Sequence, residues 1–155
     1  VLDTDEVVIV ARSGNDRNTS EKPTGRVIAY GLHMGARLPA HATSTGRVLL
    51  AAKTKGDFNA WMKGRKLARM TPLTTTDPKL FRALIERVRK DDFCLSSEEH
   101  ELGVHALAVP LRNNKGVTVA ALNVVASHNR LSTQAMQRDL LPLLFEAALE
   151  LRPLL

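Results

Sequence analysis

Runs of β-branched and other apolar residues predict the strands of this chain. Such side chains suit a pleated, half-buried surface, and turn-forming residues bound each run. The predicted strands cover residues 6–12, 26–30, 93–97, 104–111 and 118–125. Between the last two lies the sequence Asn113-Asn114-Lys115-Gly116, a composition typical of a hairpin loop. We therefore expect these two strands to pair with each other.

Apolar residues at helical spacing predict four helices, over residues 44–52, 56–62, 78–91 and 132–151. The third has the clearest start, because Asp77 is an acidic N-cap and Pro78 suits the first helical position. The last has an apolar stripe that includes Met136 and Leu143. Pro142 should kink or break this last helix, because proline has no amide N–H to donate.

The order of these elements favours an α+β fold, an antiparallel sheet flanked by helices. Strands follow one another in hairpins, and no strand–helix alternation repeats along the chain. The length of 155 residues fits one domain of ordinary size, so we assign residues 1–155 to a single domain.

One face of the last hairpin is made of small residues. If Leu111 pairs with Thr118, Ala106 lies opposite Asn123, and side chains alternate between the two faces. The small face then contains Val104, Ala106, Ala108, Pro110, Val119, Ala121, Asn123 and Val125. Such a face either receives a closely packed helix or leaves room for a ligand. Asn123 favours the ligand, because a buried amide needs polar partners.

The helix predicted to begin at Ser44 offers a second polar feature. The first turn of a helix leaves backbone N–H groups unpaired, and its dipole attracts an anion. Three hydroxyl residues, Thr43, Ser44 and Thr45, stand at this end, and capping explains one of them. The pattern predicts a site for a small organic anion, such as a carboxylate.

The net charge of +6 raises the question of nucleic-acid binding. The densest basic patch, Lys63, Arg65, Lys66 and Arg69, has no interleaved aromatic residues, so a solvated surface explains it better than single-strand binding. No segment has the length and apolarity of a membrane span, and the first residues do not resemble a signal peptide. We expect a cytoplasmic protein. Because residue 1 is Val, we also expect the chain to be part of a longer protein.

No motif of enzymatic catalysis stands out. The nucleophile elbow, the P-loop and the Rossmann glycine pattern are absent. The single cysteine, Cys94, lies among apolar residues and is expected to be a buried, inert thiol. His100 and His105 lie near Glu98, Glu99 and Glu101, which leaves a metal site or a general base as alternatives to a polar turn.

Three ordered segments resemble the effector-binding domain of IclR-family regulators. They are GARLPAHATSTGRVLLA at residues 35–51, EEHELGVHALAVPL at residues 98–111 and VAALNVV at residues 119–125. The resemblance spans nearly the whole chain. It implies a GAF-like (profilin-like) fold and a homodimeric or tetrameric bacterial transcription regulator. DNA binding would belong to an N-terminal winged helix-turn-helix that is absent from residues 1–155.

The resemblance also implies which residues contact the effector. The matching positions are Ser44, Thr45, Ser96, Val104, Ala106, Asn123 and Val125, with Val27 and Tyr30 as weaker matches for an apolar wall. Some members of the family have hydroxyl residues at the positions of Asn123 and Val125, and a cysteine at that of Ala106. The sequence therefore leaves the identity of the effector open.

The sequence as a whole predicts a ligand sensor rather than an enzyme, without a cofactor. The segment around Asn123, with His128, Arg130 and Pro142 downstream, is most similar to the subgroup that controls the protocatechuate and β-ketoadipate pathways. An aromatic-catabolism acid is the expected effector. A sugar acid or another small metabolite is the alternative, and a metal-dependent hydrolase using His100 and His105 is a third hypothesis.

Overall fold

The computed structural model describes residues 1–13 and 33–155 of the chain. The predicted strand over residues 26–30, with Val27 and Tyr30, lies outside the described residues. The six strands in the described part are β1 (Leu2–Asp3), β2 (Glu6–Val8), β3 (Arg37–Pro39), β4 (Cys94–Ser97), β5 (Val104–Arg112) and β6 (Thr118–Ser127). The helices are α1 (Ser44–Ala51), α2 (Lys55–Met62), α3 (Pro78–Asp91), α4 (Thr133–Ala135) and α5 (Leu141–Leu151). None of these helices is long and apolar enough to cross a membrane.

The strands form two antiparallel sheets of three, in the orders β1-β2-β3 and β4-β5-β6. The expected hairpin is present, but its register differs from the predicted one by two residues. Leu111 pairs with Ala120 rather than Thr118, because a bulge lies between Leu111 and Arg112. Ala106 consequently faces Val125, and Ala108 faces Asn123. A shift of two residues leaves every side chain on its predicted face, since the strand repeat is two.

The β4-β5-β6 sheet contacts helices through its long central strand. Ala108 of β5 joins the main core cluster with α1 and α3, in which Leu50, Phe81 and Ile85 are completely buried. Helix α5 also contacts β5. Leu107 and Val109, which alternate with Ala108, are fully buried as well. The antiparallel sheet flanked by helices confirms the predicted fold class.

The α3 helix begins as its sequence predicts. The side chain of Asp77 accepts a hydrogen bond from the backbone N–H of Leu80, and Pro78 occupies the first position. The helix ends at Asp91, and the next residue, Asp92, caps it in the left-handed conformation with a φ of 62°. Local capping chemistry is therefore sufficient to define this element.

The last helix is interrupted where Pro142 predicts a break. Residues Met136–Leu140 form a π-helical turn, and α5 starts at Leu141. Pro142 cannot donate to the carbonyl of Arg138, so the regular helical ladder is lost there. Met136 is fully buried, whereas Leu143 is 58% exposed, so the predicted apolar stripe was wrong at Leu143.

Two strands of the first sheet, β1 and β3, were not predicted from the sequence. The first predicted strand shortens to Glu6–Val8, and β1 and β3 contain two and three residues. Such short strands have no detectable periodicity of their own. The guanidinium of Arg37 on β3 pairs with Asp3 and Glu6 across this sheet, so the sheet depends on contacts between distant residues.

Gly46 lies in α1 against the preceding 3₁₀ turn (Ala40–Ala42). A Cβ atom at Gly46 would lie 2.1 Å from the carbonyl oxygen of Ala40, far inside van der Waals contact. Because that neighbour is backbone, the turn itself would have to move. The absence of a side chain at Gly46 thus fixes the position of the start of α1.

We expect Gly46→Ala to destabilise the fold by about 2 kcal/mol or more, since overpacking a tight contact displaces the backbone. Urea denaturation measures the change. Gly56→Ala is the matched control on α2, where the nearest atom lies 3.9 Å from the new Cβ. That control should be neutral or stabilising by up to about 1 kcal/mol. Equal stability of both variants would contradict the tight contact.

Candidate functional site

A cavity of about 590 Å³, counted with its open mouth, lies where the start of α1 meets the β4–β5 turn and the β5–β6 hairpin. Its lining residues are Leu38, Ala42, Thr43, Ser44, Thr45, Ser96, Glu99, His100, Glu101, Val104, Ala106, Asn123 and Val125.

Seven of the sequence-predicted site residues line this one cavity. They are Ser44, Thr45, Ser96, Val104, Ala106, Asn123 and Val125. The structure therefore brings together residues from α1, β4, β5 and β6 that are up to 81 positions apart in the chain. Val27 and Tyr30 lie outside the described residues.

Asn123 differs from its predicted environment. Its side chain lines the cavity but the residue is exposed, so it does not need a ligand to complete its hydrogen bonds. The argument from a buried amide was therefore wrong for the described residues. Asn123 is exposed because it lies on the edge strand β6, which pairs with β5 alone within the described part of the sheet.

The small face of the hairpin is divided between helix packing and open space. Ala108 is completely buried in the core cluster beside Val48 and Leu50 of α1. Two residues away on the same face, Ala106 is half-buried and lines the cavity, together with Val104. Helix packing therefore accounts for one end of this face, and the other end borders open space.

At the start of α1, the hydroxyl of Thr43 forms hydrogen bonds, whereas that of Ser44 has no partner among the described residues. Thr43 is the N-cap: its Oγ1 accepts from the N–H of Gly46 at 3.2 Å and donates to the carbonyl of Pro39 at 3.1 Å. Ser44 is 1% exposed, and its Oγ has no partner among the described residues. The backbone N–H groups of Ser44 and Thr45 likewise find no acceptor there. This arrangement suits an anionic group.

A buried ion pair joins α1 to the turn between β4 and β5. Arg47 is completely buried, and its two terminal nitrogens donate to the two carboxylate oxygens of Glu99 at 2.5 and 2.6 Å. Its Nε donates to the carbonyl of His41 at 2.8 Å. The guanidinium and the carboxylate thus form a bidentate pair, the strongest geometry for such an interaction.

Three threonines hold the other side of the Glu99 turn. Thr75 donates to Glu99 Oε1 from its backbone N–H at 2.9 Å and from its hydroxyl at 2.7 Å. The hydroxyls of Thr71 and Thr74 donate to the carbonyls of Glu98 and Glu99. Burial by itself raises the pKa of Glu99, but the hydrogen bonds and charge of Arg47, with those of Thr75, outweigh it and lower the pKa. Glu99 is therefore a stable carboxylate.

Sequence reasoning missed Arg47 and treated Glu99 as part of a polar turn. The two residues are separated by 52 positions, so no local pattern connects them. A charged residue inside the otherwise apolar and capping segment around α1 was the available signal. Arginine at a buried helix position requires an acidic partner elsewhere in the chain.

The catalytic and metal hypotheses receive no support from the geometry of the acidic turn. Glu99 is held by Arg47 and Thr75, and no group of three potential metal ligands occurs in the described ranges. His105 packs edge-on against His128, 6.2 Å between ring centroids, whereas His100 lines the cavity. Burial raises the pKa of the Cys94 thiol to about 11, in agreement with an inert side chain.

The basic patch is partly engaged within the molecule. Arg65 lies 4.1 Å from the ring centroid of Trp61 and pairs with Asp5. Arg69 donates to Pro72 and Thr76. These intramolecular contacts favour the interpretation of the patch as an ordinary solvated surface.

The family model described as the bacterial transcriptional regulator IclR C-terminal domain matches residues 1–152. The p-hydroxybenzoate hydroxylase transcriptional activator of Acinetobacter baylyi is 47% identical over 99% of this chain and 55% of its own length. The Pca operon regulatory protein of the same organism is 44% identical over 100% of this chain and 54% of its own. The chain thus spans about half the length of these curated relatives.

A solved structure with a ligand is also similar. It is a double mutant of the PobR transcription factor inducer-binding domain from Acinetobacter, in complex with 3-hydroxybenzoic acid. The two chains superpose with a TM-score of 0.88 at 47% identity, over 100% of this chain and 86% of the other. The similarity therefore covers both the fold and the region of the cavity.

We expect Glu99→Gln to destabilise the domain by about 3 kcal/mol at neutral pH, because it leaves the buried Arg47 charge uncompensated. A lowered carboxyl pKa contributes stability above the pKa of the unfolded chain and loses it as pH falls through the folded value. The wild type should therefore lose its advantage over the variant in acid, below about pH 4. Urea denaturation across this pH range measures both effects.

Glu86→Gln is the matched control, because Glu86 pairs with Arg89 on the surface of α3 and is 52% exposed. Its effect should stay below about 1 kcal/mol at every pH. A pH-independent difference for Glu99→Gln, or one as small as the control, would contradict a structural role for the buried pair.

Proposed function

The chain belongs to the IclR C-terminal family of bacterial transcriptional regulators, and on this premise we propose that its cavity binds a small aromatic carboxylic acid as the effector. The observation that supports this most directly is the start of α1. There a buried hydroxyl and two backbone N–H groups have no partner among the described residues, at the edge of the cavity.

The carboxylate of the acid would lie at the start of α1. The helix dipole is positive at this end, and the N–H groups of Ser44 and Thr45 with the Ser44 hydroxyl are donors. An acid that accepts these hydrogen bonds recovers the energy that an unpaired buried group costs, about 1–3 kcal/mol. The apolar body would lie against Val104, Ala106 and Val125.

The relatives support an aromatic acid rather than a sugar acid. One is named for p-hydroxybenzoate hydroxylase and the similar structure contains 3-hydroxybenzoic acid. The lining agrees with this comparison, since Leu38, Val104 and Val125 offer apolar contact to a flat ring. A sugar acid needs polar partners along its whole length, and these apolar side chains provide none.

In the whole regulator, we propose that acid binding shifts the DNA-bound state through a homodimer or tetramer. The DNA-binding part would be a winged helix-turn-helix outside residues 1–155. Effector and DNA are then coupled because each favours one of two states of the oligomer.

A thermal-shift screen followed by titration calorimetry tests the proposal. The probes are 3-hydroxybenzoate, 4-hydroxybenzoate, a sugar acid such as gluconate, and adipate as an aliphatic dicarboxylate. Stabilisation by a hydroxybenzoate at submillimolar concentration is the expected result. Stabilisation by gluconate alone would support the sugar-acid alternative. No stabilisation by any carboxylate would refute the acid sensor.

The double variant Ser44→Ala, Thr45→Val should weaken hydroxybenzoate binding by roughly tenfold or more, because it removes two hydroxyls from the anion end of the cavity. Titration calorimetry measures the change. Thr133→Ala is the matched control, since it removes a hydroxyl from the first residue of another helix, α4, outside the cavity. Unchanged affinity in the double variant would move the carboxylate away from α1.

A further inference from the structure

The cavity has a second polar atom without a partner, Nδ1 of His100. This nitrogen is buried and has no hydrogen-bond partner within the described residues. His100 lies in the turn between β4 and β5, directly after Glu99, and its side chain lines the cavity. Among the buried unpartnered side-chain atoms of the described chain, Ser44 Oγ and His100 Nδ1 both belong to cavity residues, whereas His105 does not line it.

The two unpartnered groups have opposite electrostatic surroundings. Ser44 stands at the positive end of α1, beside free N–H groups. His100 stands between Glu99 and Glu101 in sequence, and all three residues line the cavity. A carboxylate is therefore favoured at Ser44 and disfavoured at His100, where like charges would repel each other.

A neutral hydroxyl is the group that suits His100. Burial lowers the pKa of its imidazole, and this outweighs the opposing effect of Glu101, so the ring is neutral at pH 7. A neutral imidazole has one donor and one acceptor nitrogen, and a phenolic hydroxyl both donates and accepts. Either tautomer can pair with it. A carboxylate only accepts, so it cannot satisfy the acceptor nitrogen.

We propose that His100 is the specificity-determining residue of the cavity, pairing with the ring hydroxyl of the effector while the carboxylate of Glu101 disfavours a second carboxylate at that end. This inference rests on the proposed function and deepens it. The ligand class becomes a hydroxylated aromatic monocarboxylate. Its carboxylate faces Ser44 and its hydroxyl faces His100.

The other polar residues of the cavity are less favourable hydrogen-bond partners for the ring hydroxyl of the effector. Asn123 is exposed, so a ligand there only replaces water. The hydroxyl of Ser96 is not among the inaccessible atoms left without a partner, so water can satisfy it in the empty cavity and a ligand there also replaces water. Pairing an unsatisfied buried nitrogen yields more binding energy than replacing a hydrated contact, and an analogue without the hydroxyl leaves that nitrogen unpaired.

The test compares benzoate, 3-hydroxybenzoate, 4-hydroxybenzoate and terephthalate by titration calorimetry. The wild type should bind one hydroxybenzoate at least roughly tenfold tighter than benzoate, and should bind terephthalate weaker than benzoate. His100→Phe keeps a ring but removes both nitrogens. In this variant the preference for the hydroxyl over benzoate should fall to within about twofold.

His105→Phe is the matched control. It makes the same substitution at another histidine with an unpartnered Nδ1, on a residue that does not line the cavity. The ratio of hydroxybenzoate to benzoate affinity should stay at the wild-type value. A structural role of His100 would instead weaken benzoate and hydroxybenzoate binding equally, which would overturn the proposal.

Glu101→Gln keeps the test decisive if His100→Phe fails to fold, because Glu101 is on the surface. It should improve terephthalate binding relative to benzoate and leave the hydroxyl preference intact. Equal wild-type affinity for benzoate and both hydroxybenzoates would overturn the role of His100 while the carboxylate sensor stands. Absence of binding by all four acids would refute the proposed function and this inference with it.

Discussion

The architecture around the cavity depends on one buried charge, the guanidinium of Arg47. An ion of this size cannot remain in a protein interior without a partner, because its desolvation costs several kcal/mol. Glu99 provides that partner with both carboxylate oxygens, and Thr75 holds the same carboxylate from the far side. Compensating one charge therefore brings α1, the β4–β5 turn and the segment of residues 71–75 to a common point. The cavity lies beside it.

The same ion pair sets the electrostatics of the cavity. Glu99 lines the wall as a carboxylate whose charge is largely balanced by Arg47, while the start of α1 faces the interior with free donors. Positive potential is therefore concentrated at the helix start and negative potential at the turn. A small acid with one charged and one neutral polar end matches this division, and the arrangement needs no cationic side chain among the described lining residues.

Elements defined by local chemistry were predictable from the sequence. The Asp77-Pro78 start of α3 and the break at Pro142 require only knowledge of capping and of proline. The hairpin was also predicted, and its two-residue register error left the cavity face unchanged because side chains alternate with a period of two. The contacts of Arg47 with Glu99, and the exposure of Asn123 on an edge strand, depend on the packing of distant segments. No local pattern encodes them.

The site residues also divide into those that a local pattern predicts and those that depend on the packing of distant segments. Strand alternation and the helix-start pattern, together with the family resemblance, identified residues that line the cavity, but His100 was considered only as a metal or catalytic candidate. Its distinguishing property is a missing hydrogen bond, which becomes visible once neighbours are known. Two unsatisfied polar atoms in one cavity cost folding free energy that no internal contact returns. A ligand with two matching polar ends would return this free energy on binding, and such a difference between empty and occupied cavity is what a sensor requires in order to shift between two states.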